Sequence, residues 1–293
     1  LGIALPDLLL PVKPLVPTLF AIMTLQNSLS NDVRSMAVAL RRPAALVICI
    51  LVVHVVMPLV TFAVASLVFG ANSPTVAGVV LEYSVPIGAS TVMWVGMFRG
   101  ELALGLSTLL VSTLISPVTI PATLQVLVGT TVEIDALGMM ADMAYMVAIP
   151  ALVSTVLNEL SGGWAQRVLA PATTPVSRLV LPLIVATNAT GIAEPVRHLT
   201  PRLVGIMVLM LCFAVCSFLV GMALARRLSH GDDARFVAVS FSCGIRNVTA
   251  GAVLASQYFG PEVMFPAIIG TPFQQVLAAA FGRIMARELQ RRP

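Results

Sequence analysis

The chain has 293 residues, of which 58% are hydrophobic and only 10% charged, with a formal net charge of +4. Soluble domains carry roughly 25% charged residues, and no globular interior of this size could hide so much apolar side chain, which excludes a water-soluble enzyme or binding module. The small basic excess calls for no nucleic acid, because membrane topology accounts for it.

Apolar runs about 20 residues long, the length that crosses a bilayer as a helix, recur from end to end. The fold class expected is therefore an all-α polytopic membrane protein with about ten transmembrane helices. Polar and Pro/Gly punctuation places them near 1–12, 14–30, 43–70, 76–98, 102–128, 135–158, 174–193, 201–225, 233–259 and 262–286. The opening "LGIALPDLLL" has no basic n-region and reads as the end of a first helix rather than as a cleavable signal.

Basic residues divide unequally between the two sides these spans define. Arg34, Arg41, Arg42, Arg99, Arg167, Arg178, Arg226, Arg227, Arg235, Arg283, Arg287, Arg291 and Arg292 fall on one side, against Lys13, Arg197 and Arg202 on the other. The positive-inside rule makes the rich side cytoplasmic, with both termini there. Arg246 belongs to neither side.

Cys49, Cys212, Cys216 and Cys243 all sit in apolar segments without CxxC spacing, so core packing is expected rather than a zinc site or a disulfide. His54 has no second ligand at helical spacing, and the 14 methionines read as pliable packing. No metal and no cofactor are expected.

The two halves resemble each other. "YSVPIGASTVMWVGMFRGELAL" leads into "LVSTLISPVTIPA", and "FSCGIRNVTAGAVLASQYFGPEVMF" leads into "PAIIGTPFQQVLAAA". Each starts on aromatic-Ser, breaks at Pro or Gly among small polar residues, and runs to a Gly-Glu turn or its near equivalent before another apolar helix. The pattern predicts inverted repeats over 1–130 and 131–293. The core domain is expected from spans near 43–128 and 201–286, and the panel from spans near 1–30 and 135–193. Paired interrupted helices point to a transporter's midplane site. A broken helix leaves backbone groups that lipid cannot satisfy, and facing half-helix N-termini attract anions. Pro86 removes an N–H there, and Gly88 and Gly244 permit unusual dihedrals.

Arg246 sits at the second break. A mid-membrane arginine costs roughly 2.5–3.5 kcal/mol even on insertion scales, so it is expected to face the interior with a partner. Glu82, four residues before Pro86, is read either as that counter-ion or as a proton-coupling site. Asn247 is a candidate substrate contact through its amide. Ser90, Thr91, Ser242, Asn188 and Gln275 are the other candidates, with Thr187, Thr190, Gln274, Gln26 and Asn27 as further polar positions in the spans.

Taken with "PTLFAIMTLQNSL", "RRPAALVI", "VVMP", "PIGASTVM", "RGELAL", "GIRN" and "FPAIIGTPFQQVLAAAFG", these residues make the chain resemble the bile acid:sodium symporter family from Leu1 to about Arg287. The resemblance implies a panel beside a core, two discontinuous helices crossing near the midplane, and organic anions as substrates, from steroid acids to smaller carboxylates. It also implies sodium ligands that this chain lacks. Where the family reads Glu-x-Gly-Met-Gln-Asn, this chain has Ser242-Cys243-Gly244-Ile245-Arg246-Asn247. The family's Ser-Asn pair appears as Ser90-Thr91. Gly105 and Leu109 stand for hydroxyl ligands, and Val53, next to His54, stands for a Gln. The usual sodium sites are accordingly not expected, and Arg246 is expected to do the electrostatic work of the bound ion.

The reading is a secondary transporter of an organic anion, working by alternating access in the bacterial inner membrane with the lipid bilayer as its other partner. The alternatives are a sodium- or proton-coupled symporter of the same family, a non-transporting sensor on the same scaffold, and an arsenite exporter using Cys243. An intramembrane enzyme is disfavoured, since there is no HExxH and the single Asn-Asp pair is Asn31-Asp32 in a loop.

Overall fold

A computed structural model describes residues 2–29 and 43–290; Arg34, Arg41, Arg42, Arg291, Arg292 and the Asn31-Asp32 pair lie outside the described residues. Every regular element within them is helical. In chain order these are α1 (Pro6–Ser28), α2 (Pro43–Phe69), α3 (Pro74–Ser84), α4 (Ser90–Met97), α5 (Leu102–Val128), α6 (Ala136–Leu160) and α7 (Ala165–Arg197). They are followed by α8 (Pro201–Leu228), α9 (Asp233–Gly244), α10 (Val248–Tyr258), α11 (Pro261–Ile269) and α12 (Thr271–Gln290).

Among the described residues, seven helical runs are long and apolar enough to cross a membrane: α1, α2, α5, α6, α7, α8 and the run formed by α11 with α12. The pairs α3/α4 and α9/α10 are the two helices expected to break, and both do. The boundary expected between 1–12 and 14–30 is absent. Pro11 and Pro14 fall in a 3₁₀ stretch, Leu10–Leu15, that runs straight into the helix after it. A proline's fixed φ suits a tight turn near a helix start, so two prolines there need not separate two spans.

The outward faces carry large exposed apolar side chains such as Leu67, Val126, Leu160 and Leu179, as a lipid-facing surface requires. Polar pairs gather at the ends. At one end Arg226 reaches Glu288 (2.8 Å), and Arg235 reaches Glu101 and Asp232 (3.4 Å each). At the other, Arg197 donates to the carbonyl of Ile3 (2.6 Å) and Arg202 to the Ser73 hydroxyl (3.4 Å). Ile3 thus lies at the Arg197 end and Glu288 at the Arg226 end, whereas the sequence leads one to expect both termini on one side: with 6–28 a single span, the chain crosses one time fewer than expected.

α3 packs against α2 and α11, α9 runs along α8, and α1 packs against α6 and α7. The broken helices thus sit among α2, α5, α8, α11 and α12, and the α1–α6–α7 group lies beside them with α10 touching α7 and α1.

Candidate substrate site at the helix crossing

α3 ends because Val85 turns extended (ψ 153°) and Pro86 follows, and α9 ends where Ile245 does the same (φ −105°, ψ 125°). The two interruptions meet as an antiparallel bridge between Ile87 and Arg246. Gly88 N donates to Ile245 O (3.3 Å) and Asn247 N to Pro86 O (2.8 Å). Two further amides find side chains: Ile87 N donates to Ser112 Oγ (2.9 Å), and Arg246 N to Gln274 Oε1 (2.9 Å). Gln274 Nε2 in turn donates to Arg246 O (2.7 Å). Backbone groups that a break exposes in a water-poor interior are thereby paired, which is the condition for such a break to persist.

Gly88 and Gly244 do not use the freedom of a positive φ; among the described residues the glycines that do are Gly70, Gly162, Gly163 and Gly231. Their requirement is space. A Cβ on Gly88 would lie 2.6 Å from Arg246 O, and one on Gly244 2.3 Å from the ring of Phe218. Close backbone approach, not backbone conformation, selects glycine here.

A cavity of about 330 Å³ opens beside the crossing. Thr24, Asn27 and Ser28 of α1, with Val147 and Leu181, form one wall; Gly88, Ala89, Ser90, Arg246, Asn247, Thr249, Gln274 and Gln275, with Leu109 and Thr113 of α5, form the other. Gln275 is held by Trp94, whose Nε1 donates to its Oε1 (2.9 Å), and donates onward to Ser90 Oγ (3.2 Å). Asn247 Oδ1 accepts from Ala250 N (3.2 Å), capping α10 and leaving its amide N–H₂ for a ligand.

Arg246 is 3% exposed, and Nε and both terminal nitrogens have no hydrogen-bond partner. Its residue lines the cavity while the guanidinium nitrogens are buried, and His54, Glu82, Tyr83 and Cys243 are the ionisable groups within reach of its field. The partner expected for it is not in contact: Glu82 is buried, but its Oε2 also lacks a partner. The charge reaches the cavity as a field rather than as a made hydrogen bond.

The structure therefore gathers Arg246, Asn247, Ser90 and Gln275 around one cavity, together with Gln274 and Asn27. Thr91 and Asn188 lie elsewhere; Thr91 is fully buried, and Asn188 Oδ1 accepts from Ser256 (3.1 Å). Gln26 also turns away, donating to Ala170 O (3.4 Å) and to Thr174 Oγ1 (3.3 Å). Ser242 shares a 2.9 Å hydrogen bond with Thr108. Cys243 faces Cys49 across 3.8 Å, both fully buried and outside the cavity wall, an arrangement that gives arsenite no open thiol.

His54 is a packed histidine, with Nε2 2.8 Å from Ser112 Oγ and Nδ1 2.9 Å from Thr119 Oγ1. Ser112, Thr113 and Thr108 had not been singled out from sequence. The visible signal was hydroxyls four apart along α5, at Thr108, Ser112 and Ser116, which is one face of a helix.

Gln274 makes the sharpest local prediction. Gln274→Ala leaves both the N–H and the C=O of Arg246 unpaired, at about 1–3 kcal/mol for each buried group. Thermal unfolding in detergent is expected to show that loss. Gln274→Glu, which keeps the acceptor but loses the donor, is expected to fall between the two, and wild-type stability for Gln274→Ala would contradict the clamp.

A family model described as the Sodium Bile acid symporter family matches residues 16–198. An uncharacterized protein, YbaS, of Bacillus subtilis (strain 168) is 32% identical over 287 residues, covering 98% of this chain and 94% of that protein. A probable chloroplastic sodium/metabolite cotransporter, BASS1, of Oryza sativa subsp. japonica is 27% identical over 283 residues, covering 94% of this chain and 65% of that protein. An uncharacterized sodium-dependent transporter, YocS, of Bacillus subtilis (strain 168) is 21% identical over 294 residues, covering 89% of that protein.

Proposed function

Because the chain belongs to the sodium bile acid symporter family, a family of membrane transporters, we propose that it carries a small organic anion through the cavity at the helix crossing. Arg246 supplies the fixed positive charge, and the cavity faces the two sides of the membrane in turn. The observation that carries this reading is a buried, unpartnered guanidinium at the crossing. It accompanies Ser242, Gly105 and Leu109 at positions where the family resemblance calls for sodium ligands. Sodium needs several oxygen donors in a shell, and a guanidinium offers only N–H groups.

A volume of about 330 Å³ is at the low end for ligand pockets, which favours a smaller carboxylate over a steroid acid. The amides of Asn247 and Gln275 and the hydroxyl of Ser90 are the direct contacts, while Arg246 sets the sign of the charge admitted. α1, α6 and α7 act as the panel, and the broken helices with their neighbours act as the core. Two inverted repeats, 1–130 and 131–293, fit the paired breaks. The inner membrane of a bacterium agrees with the Bacillus relatives, and the distribution of arginines favours the Arg226–Glu288 end in the cytoplasm and the Ile3–Arg197 end on the far side, rather than both ends inside.

The names of BASS1 and YocS favour sodium coupling as a second reading. Thermal stabilisation of purified protein by lactate, succinate and cholate, with and without sodium, separates them, since a ligand specific for the folded state raises apparent stability. Stabilisation by a carboxylate at equal midpoints in sodium and in choline is the expected result. A requirement for sodium would return the protein to ordinary sodium symport, and stabilisation without flux in proteoliposomes would make it a sensor.

A further inference from the structure

Glu82 is 3% exposed in the membrane interior and takes no part in the cavity wall. Its carboxylate rests in a slot that exists because two glycines of the second half lack side chains. A Cβ on Gly251 would come within 2.7 Å of Oε2, and one on Gly270 within 3.1 Å of Oε1. Oε2 has no hydrogen-bond partner, and Arg246, the charged side chain whose field acts on it, does not reach it for an ion pair.

The elements around Glu82 bring few other ionisable groups. α5 brings none; α2 brings Cys49 and His54, whose ring nitrogens are both hydrogen-bonded. Tyr83 turns its hydroxyl to Met210 O on α8 (3.2 Å), with Cys212 and Cys216 near that ring. Tyr258 at the end of α10 donates to Asp142 (2.5 Å), and Glu262 stands at the head of α11. Glu82, when ionised, and Arg246 are therefore opposite charges in one dry interior, held apart, with Oε2 of the one and all three guanidinium nitrogens of the other unpartnered.

That arrangement has a consequence for an anion arriving beside Arg246. With the cavity empty, one carboxylate and one guanidinium balance. With an anion seated, two negative groups share one cation, and an uncompensated buried charge costs several kcal/mol. We propose that Glu82 is the proton site of the carrier, ionised when the cavity is empty and protonated when an organic anion occupies it. The inference rests on the anion-carrier reading above. The proton enters from the solution to which the cavity is open and leaves on the other side with the anion, so a monocarboxylate crosses without net charge.

Two measurements test it. In weakly buffered detergent solution, binding of whichever of lactate, succinate and cholate stabilises the protein most is expected to take up about one proton per anion in wild type. This needs no variant, and binding with no proton uptake overturns the proposal while leaving the carrier reading standing. In proteoliposomes, corrected for protein-free vesicles, an inside-alkaline gradient of about one pH unit is expected to accumulate a monocarboxylate about tenfold. Glu82→Gln is expected to lose that accumulation yet still exchange anion across the membrane, with net flux now responding to membrane potential. Accumulation preserved in Glu82→Gln would overturn the role of Glu82. Absence of both anion binding and flux in wild type would remove the carrier reading and this proposal with it.

Discussion

Replacing Arg246 with methionine is expected to abolish anion-induced stabilisation and cut uptake from about thirtyfold to several thousandfold, the range for losing one partner of a desolvated charge pair at roughly 2–5 kcal/mol. Methionine fills much of the volume that arginine leaves, so the change tests charge rather than packing. The thermal midpoint of the empty protein is expected to hold or to rise. The guanidinium is buried and makes no hydrogen bond, so its removal relieves a desolvation cost, and Glu82, left without a cation, takes up a proton rather than staying as an unpaired buried charge. Loss of binding together with gain of stability is a combination no purely structural residue gives. Arg246→Lys keeps the charge and is expected to retain part of the uptake, since the field rather than a bidentate grip does the work. Full anion binding in Arg246→Met would end the proposal that this cation selects the substrate.

Gly88→Ala is the second large effect. The added Cβ would sit 2.6 Å from Arg246 O and 3.0 Å from its carbonyl carbon. Both neighbours are backbone, fixed by Gln274 on one side and by the Asn247–Pro86 hydrogen bond on the other, so neither can yield alone. Overpacking of this kind costs typically 1–3 kcal/mol, and here the bridge between the breaks has to open as well. A lower unfolding midpoint and loss of anion uptake are expected together. Gly244→Ala is expected to lower the midpoint as well, since its Cβ would lie 2.3 Å from the ring of Phe218, which is fully buried and stacked on Phe281 (ring centroids 4.7 Å apart). Unchanged stability and uptake in Gly88→Ala would show that the crossing tolerates separation.

Much of the fold was legible because a bilayer sets helix length and leaves apolar runs no other use. The breaks were legible at Pro86 and at Gly244–Asn247, where small polar residues interrupt such runs. The prolines at 11 and 14 misled, since the same residue that ends a helix in mid-span begins one near its start. The site was only partly legible. Arg246, Asn247, Ser90 and Gln275 line one cavity, but Ser112 and Gln274 pair with backbone 25 and 28 residues away along the chain, and spacing in sequence carries no trace of that. Thr91 and Asn188 show the opposite error. A polar residue in an apolar helix reads as cavity lining, yet Asn188 pairs with Ser256 and Thr91 is closed off altogether. For Glu82 the sequence offered a partner that the structure keeps out of contact, and the decisive feature, a slot left by Gly251 and Gly270, lies in the other half of the chain.

The grip of Gln274 on both sides of Arg246's peptide has a mechanical meaning. α12 begins three residues before Gln274, so the last helix is lashed to the crossing, which itself joins α3 and α9 through backbone bonds. These pieces have no joint between them at the place where cargo sits. For a carrier built this way, the donors at the crossing travel as one block, and the anion keeps them while its neighbours on α1, α6 and α7 change. On the proposed carrier reading, substitutions along the seam with α1, α6 and α7 are then expected to change turnover more than affinity, and those at the crossing the reverse.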